Sequence, residues 1–265
     1  MSKKHYGKCA LCGKIGTLSF EHIPPECAGN DSLIKAYSFK DLLCDEKDRL
    51  PWETEGLHYE QSQNGHGKYS LCEKCNSLTG HLYGKEYQKF DLFALRVVSE
   101  NKDPNKYCAE LKKAYPNRFI KQVLSLFCSI EPEYSAYDEL RSFVLDKHAK
   151  GLDKDKFRLT MFFVRNEILM YSGNSNLISC DKSKDTIVNQ LVAYPLGFLL
   201  YLNPSNQKNY EGTDITLFAD YDYDHEDDIV FPIDIREVNT GFPLDFRTKD
   251  ELLKAINTEK VKEPS

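Results

Sequence analysis

The spacing of apolar residues predicts a mixture of helices and strands along most of the chain. Over residues 77–100 apolar side chains recur every three or four positions, which is the spacing of one helix face. Further helices are predicted over residues 119–130, 134–149 and 249–256. Short apolar runs rich in β-branched and aromatic residues predict strands; they cover residues 157–164, 168–171, 187–194, 196–202, 215–219 and 229–235. The expected fold class is therefore α+β.

The first part of the chain carries weaker signals. Residues 17–20 are consistent with a short strand, which Pro24 and Pro25 would end. Residues 32–44 have apolar positions consistent with an additional helix. A turn-rich stretch at residues 101–106 suggests a boundary, so we expect one module over residues 1–102 and a second over 103–265.

Composition and charge narrow the class of protein. The 265 residues are 41% hydrophobic, enough for a buried core, and the longest apolar-rich stretches, 159–164 and 191–202, fall short of the roughly 18–20 residues that span a bilayer. No secretory signal is recognised, so we expect a soluble, cytoplasmic protein without a membrane partner. Residues 1–150 carry 22 basic and 21 acidic residues, whereas residues 151–265 carry 13 and 20. A nucleic-acid site would therefore belong to the first half.

Cysteine spacing gives the sharpest chemical signal. An odd count of nine cysteines argues against a disulfide framework. Four of them form two C-x-x-C pairs, Cys9 with Cys12 and Cys72 with Cys75. Two such turns brought together give a tetrahedral sulfur site, so we predict one structural Zn²⁺. The 59 residues between the pairs exceed a simple zinc ribbon, so something is inserted between the two knuckles.

An adjacent carboxylate and imidazole, Glu21 and His22, follow the first knuckle at the predicted strand end. Such a pair suits metal-assisted hydrolysis, in which one group holds a divalent cation and the other takes a proton from water. Alone, a Glu-His pair is more often an ordinary surface dipeptide. Beside two zinc knuckles it becomes a candidate site.

The order Cys9-x2-Cys12, Glu21-His22-Ile23-Pro24, Cys72-x2-Cys75-Asn76 resembles the HNH endonuclease family over about residues 5–100. These are ββα-metal, or His-Me finger, nucleases, some of them with a zinc-stabilised treble-clef-like module. The resemblance implies that Glu21 and Asn76 hold Mg²⁺ or Mn²⁺ and that His22 is the general base. It also implies hydrolysis of nucleic-acid phosphodiesters, with DNA favoured over RNA.

Two departures from the family pattern affect the expected site. Where the family usually has a middle Asn, about five residues before the second C-x-x-C pair, this chain has Gly67. His66, Lys68 and Asn64 are the candidate substitutes, with His66 foremost. The segment between the motifs is also longer than usual. We expect the helix after the second pair to place Asn76 at or next to its N-terminus, facing the Glu21-His22 strand end.

The second half carries no comparable motif. Its acidic run over residues 220–228 lacks the glycine and final Glu of a calcium loop, so we interpret it as a solvated acidic loop. The role of residues 103–265 is left open between substrate recognition, a regulatory protein partner and a homodimer interface. The predicted function is an HNH-type endonuclease, and by resemblance a bacterial phage-defence effector. The alternative is a non-catalytic zinc-knuckle protein that binds nucleic acid or protein.

Overall fold

Helices and strands alternate irregularly along the chain, as expected for an α+β protein. The computed structural model describes residues 4–44, 49–101, 107–132, 134–177, 186–204 and 210–260. The strands are β1 (His5–Lys8), β2 (Ile15–His22), β3 (Ile34–Tyr37), β4 (Tyr59–Ser62), β5 (Gly67–Cys72), β6 (Cys108–Ala114), β7 (Phe157–Val164), β8 (Leu169–Leu177), β9 (Thr186–Ala193), β10 (Leu196–Leu202), β11 (Thr213–Asp214), β12 (Asp227–Pro232) and β13 (Ile235–Arg236). The α-helices are α1 (Phe39–Cys44), α2 (Glu73–Thr79), α3 (Lys85–Glu100), α4 (Pro116–Ile130), α5 (Asp138–Leu145) and α6 (Lys249–Lys260).

Three antiparallel strands in the order β1-β2-β5 form the N-terminal sheet. The predicted strand over 17–20 is confirmed and is longer, since β2 ends at His22, which lies opposite Gly67 on β5. Helix α2 begins directly after β5 and packs against β2. The end of β2 therefore lies beside both β5 and α2.

The segment between β2 and β5 differs from the predicted helix. Residues 34–37 form strand β3, which pairs with β4, and α1 begins only at Phe39. Cross-strand contacts account for the difference. The rings of Tyr37 and Tyr59 lie 5.8 Å apart, and the Lys35 ammonium lies 4.5 Å from the Tyr59 ring centroid. Such pairs stabilise a hairpin although the sequence also has helical spacing.

The long helix predicted from residue 77 is present and begins earlier, at Glu73. Helices α2 and α3 are joined by one π-helical segment, Gly80–Gly84, so residues 73–100 form one continuous helical stretch. Tyr83, Tyr87 and Phe90 are fully buried on its inner face, as the three- and four-residue spacing predicted.

The C-terminal region is built on a sheet in the order β11-β7-β10-β9-β8, with β13 parallel to β7. Helix α4 is buried almost throughout, and its Phe119 ring stacks on Phe90 at 3.6 Å. The strand predicted over 215–219 is wrong: Thr216–Asp220 is a 3-10 helix. There the Asp214 carboxylate accepts the Thr216 N–H at 2.9 Å, which turns the backbone away from a ladder.

Side chains from both parts of the chain share one core. The Tyr83 hydroxyl donates to the Val144 carbonyl at 2.7 Å, and Arg141 Nε donates to the Ala10 carbonyl at the same distance. The boundary expected near residue 102 falls where residues 102–106 lie outside the described part of the chain, and the division into two modules stays a prediction. Within the described residues, no helix is both long and apolar enough to cross a membrane.

Candidate functional site

The four cysteines of the two C-x-x-C pairs meet at one point, as predicted. The Sγ atoms of Cys9, Cys12, Cys72 and Cys75 all lie within 4.8 Å of one another, and those of Cys12 and Cys72 are 3.9 Å apart. Tetrahedral zinc with Zn–S bonds of about 2.3 Å requires sulfur separations of about 3.8 Å. The set therefore fits one structural Zn²⁺ held by four thiolates, which leave no open coordination position.

Local backbone geometry builds this cluster. Gly13 adopts a φ of 70°, which closes the first knuckle, and the Cys9 N–H donates to the Lys14 carbonyl at 2.9 Å. The second pair lies at the beginning of α2, and the Cys72 N–H donates to Cys9 Sγ at 3.3 Å. A hydrogen bond from the Cys75 thiol, helped by backbone N–H groups, lowers the pKa of Cys9 to about 4. Burial raises the pKa of Cys12, and the hydrogen bond to Cys9 raises that of Cys75, so the four sulfurs favour one thiolate, on Cys9, the form that binds zinc.

Metal-binding groups of this kind are confined to the cysteines in the described part of the chain, where no other set of three or more His, Cys, Asp or Glu side chains converges. Acidic residues of the run at 220–228 instead form salt bridges with lysine and arginine side chains. Arg118 contacts Asp224 at 2.8 Å, and Lys154 contacts Asp220 at 2.8 Å. These surface pairs agree with the interpretation of a solvated acidic loop.

Glu21 lies one residue before the end of β2 and is only 5% exposed. Its carboxylate makes no hydrogen bond to any residue that the structure describes. Burial alone raises its pKa to about 8. Side chains alternate along β2, so Glu21 shares a face with Ser19, which is the face that α2 covers. A buried carboxylate with no partner is costly, and a bound cation would relieve that cost.

His22 is held in one tautomer by the loop that precedes β5. Its Nε2 lies 2.9 Å from the Asn64 carbonyl oxygen, which can only accept, so Nε2 carries the proton. With its proton on Nε2, a neutral ring at this position has Nδ1 as its proton acceptor. Opposite His22, a Cβ on Gly67 would lie 2.1 Å from the Glu21 carbonyl oxygen, so no side chain fits there. The Glu21 carbonyl and the Phe20 ring already fill the space that a side chain at this position would need.

Asn76 lies in the first turns of α2 and contacts β2 through its amide nitrogen. Nδ2 donates to the Phe20 carbonyl at 2.8 Å and to Ser19 Oγ at 3.1 Å. These contacts place the Asn76 amide against Ser19 and Phe20 on β2. Because α2 begins at Glu73, Asn76 lies about one turn into the helix rather than at or next to its N-terminus. Its Oδ1 accepts no hydrogen bond within the described residues, and with the Glu21 carboxylate it offers the hard oxygen donors that Mg²⁺ or Mn²⁺ prefers.

His66 lies near the same strand end but directs its ring elsewhere. Its carbonyl accepts the Ile23 N–H at 2.9 Å, and its Nε2 lies 3.3 Å from the Tyr171 hydroxyl on β8. Burial lowers the pKa of His66, with the nearby Lys68 ammonium as a second cause. Lys68, the second candidate for the middle position, donates from its ammonium to the Ile130 carbonyl at 2.9 Å. Asn64 acts through its carbonyl, which orients His22.

Asn30 is the residue that sequence reasoning missed. Its Nδ2 donates to the carbonyls of Pro24 and His66 at 2.6 and 2.7 Å, and its Oδ1 accepts the His66 N–H at 2.7 Å. The side chain thus joins the chain after β2 to the chain before β5. Gly65 packs directly on it, since a Cβ there would lie 2.1 Å from the Asn30 carbonyl oxygen. The only sequence signal for Asn30 is its place after Gly29 in a turn.

The candidate site therefore combines a sulfur cluster suited to zinc with an unpartnered carboxylate, a free amide oxygen and an imidazole of fixed tautomer. Comparison with known proteins adds no family. No protein-family model matches the chain, and it matches neither a curated protein nor a solved structure.

Proposed function

We propose that this protein is a zinc-stabilised, metal-dependent nuclease of the HNH type, which hydrolyses phosphodiester bonds of nucleic acid. The proposal rests mainly on the hydrogen bond that orients the His22 ring. The Asn64 carbonyl fixes its Nε2–H and leaves Nδ1 as a proton acceptor at the same strand end as the unpartnered Glu21 carboxylate. A positioned neutral imidazole is the usual general base at neutral pH.

In this mechanism Glu21 and Asn76 would hold a Mg²⁺ or Mn²⁺ ion, which would supply positive charge at the scissile phosphate. His22 Nδ1 takes a proton from water as the water oxygen forms its bond to phosphorus, and the bond from phosphorus to the 3′ oxygen breaks. The hydrogen bond from Nε2–H to the Asn64 carbonyl keeps the ring oriented and stabilises the imidazolium. Zinc bound by the four cysteines would keep α2, and with it Asn76, against β2.

The finer assignments rest on the resemblance to the family. DNA is the favoured substrate, and defence against phage in the bacterial cytoplasm is the favoured role. Residues 103–265 would then recognise substrate, bind a regulatory protein or form a homodimer.

One observation favours a second candidate, a zinc-knuckle binding protein without catalysis. Regular alternation along β2 puts Glu21 and His22 on opposite faces of the strand, because Phe20 and His22 share a face on which their rings lie 5.0 Å apart. A cation held by Glu21 and Asn76 would therefore lie on the other side of β2 from His22. The two could act on one phosphate only at the end of the strand, which counts against catalysis.

Cleavage of supercoiled plasmid and of single-stranded DNA and RNA, with and without added Mg²⁺ or Mn²⁺, separates the two candidates. The nuclease requires metal-dependent cleavage that falls at least about 10²-fold in Glu21→Gln. Glu73→Gln is the matched control, since Glu73 is exposed at the start of α2. Absence of cleavage by wild-type protein with its zinc in place would favour the binding protein.

A further inference from the structure

Aromatic rings form a continuous row on the face of the N-terminal sheet that carries His22. Phe20 lies edge-on to His22 at 5.0 Å and edge-on to Tyr69 at 5.3 Å. The Tyr69 ring in turn stacks on His5 at 3.5 Å, with an angle of 6° between the planes. We call these four residues the aromatic face. It begins on edge strand β1 and ends at the proposed base.

A bulge in β5 creates this face. Ser19 pairs with Leu71 while the next residue, Phe20, pairs with Tyr69, so Ser70 is left over. Without the extra residue, Tyr69 and Leu71 would point the same way. With it, Leu71 is fully buried on the Ser19 side, and Tyr69 is 45% exposed beside Phe20. An exposed ring next to a proposed catalytic side chain is not needed for the core.

Three lysines lie beside the N-terminal sheet, at its edge strand and first knuckle. Residues 4–20 contain Lys4, Lys8 and Lys14 and no acidic residue, although the whole chain has a net charge of −6. All three lysines are exposed, and none makes an ion pair with the residues that the structure describes. Lys4 and Lys8 lie at the two ends of the edge strand, where alternation puts them on the Tyr6 side, opposite the aromatic face, and Lys14 lies in the first zinc knuckle. Phosphates that follow the edge of the sheet would lie within reach of these side chains.

We propose that the aromatic face binds an unpaired stretch of nucleic acid by stacking its bases, so that single-stranded substrate is presented to His22. The proposal rests on the proposed nuclease function, whose substrate class it names. Base faces are accessible to protein rings only where the strand is unpaired, because in a duplex they are covered by neighbouring bases. Ring stacking plus lysine contacts to phosphate is the chemistry by which proteins bind single strands without reading sequence.

The test is fluorescence anisotropy of a labelled oligothymidylate in buffer without added divalent metal, so that binding is measured apart from hydrolysis. Stacking of one base contributes about 1–3 kcal/mol, so Tyr69→Leu should weaken binding about 5- to 150-fold. Tyr69→Phe, which keeps the ring, should bind within about twofold of wild type. Tyr6→Leu is the matched control: Tyr6 is 75% exposed on the same sheet but pairs with Thr17, on the opposite face. It should bind like wild type.

The proposal is overturned if Tyr69→Leu, with full zinc content, binds as tightly as wild type, or if Tyr6→Leu loses as much. It is also overturned if a duplex of the same length binds as tightly as the single strand and depends on Tyr69 to the same degree. Failure of the nuclease gives a different result. If binding depends on Tyr69 but no metal supports cleavage, the single-strand site is supported and the nuclease is not. If cleavage depends on metal but does not change in Tyr69→Leu, the nuclease is supported and the single-strand site is not.

Discussion

Replacement of Asn30 by alanine tests how the loops around His22 are held together. The side chain is 8% exposed and makes three hydrogen bonds, two as donor and one as acceptor. Alanine removes all three and leaves the His66 N–H without its partner. The His66 carbonyl is less affected, because it also accepts the Ile23 N–H at 2.9 Å.

The expected size follows from those contacts. Each lost hydrogen bond costs about 0.5–1.5 kcal/mol, and the His66 N–H left unsatisfied sets the upper part of the range, so Asn30→Ala should lower the free energy of unfolding by about 2–4 kcal/mol. For a chain of this size each kcal/mol corresponds to about 2–4 °C, which gives a fall in Tm of about 5–15 °C. The Asn64 carbonyl would also shift, so the orientation of His22 should be lost with it.

The assay is thermal unfolding of zinc-loaded protein followed by circular dichroism, with urea unfolding as the second measurement. Asn64→Ala is the matched control, because the exposed Asn64 contributes its carbonyl and makes no side-chain hydrogen bond to a residue that the structure describes. It should stay within about 0.5 kcal/mol of wild type. A Tm for Asn30→Ala equal to that of Asn64→Ala would refute the reasoning that the Asn30 amide joins the two loops.

Three further changes have defined outcomes. Cys72→Ser should remove most of the bound zinc and lower Tm, since zinc binding and local folding share one free energy; full zinc content by elemental analysis would contradict the four-sulfur site. Gly67→Ala should destabilise the sheet, because its Cβ would lie 2.1 Å from the Glu21 carbonyl oxygen, whereas Gly16→Ala, with no atom within 4 Å, should not; equal urea midpoints would contradict this. Burial lowers the pKa of Lys121 to about 8. The unfolded chain therefore holds a proton that the folded protein releases between about pH 8 and 10.5, so wild-type stability should rise with pH relative to Lys121→Met over that window; parallel pH profiles would argue against a depressed pKa.

Periodicity and spacing predicted the parts of this protein that depend on neighbouring residues. The helical segment from Glu73 to Glu100 follows from its apolar spacing, and the sulfur cluster follows from two C-x-x-C pairs. The α+β class was predicted correctly for the same reason. The helices depend on residues three or four positions apart, and the two C-x-x-C pairs must come together to bind one ion.

Features that depend on distant partners were missed. Strand β3 forms because Tyr59 lies opposite Tyr37, and nothing in residues 34–37 indicates that partner. The contacts of Asn30 require Pro24 and His66 to be neighbours in space, and His66 contacts Tyr171 across 105 residues of chain. The bulge at Ser70, which turns Tyr69 outward, is likewise a property of strand register. Hydrogen-bond partners and register depend on the closed fold rather than on local pattern.

The most direct test of the account is metal-dependent cleavage of nucleic acid by His22→Ala beside wild type and His81→Ala, at equal zinc content. His22 is proposed as the base and is not a zinc ligand, so its replacement should leave zinc and Tm nearly unchanged. Cleavage should fall at least about 10²-fold, the usual contribution of a positioned general base. His81, exposed on the π-helical segment, should be replaceable without loss. Undiminished cleavage by zinc-loaded His22→Ala would contradict the proposed mechanism.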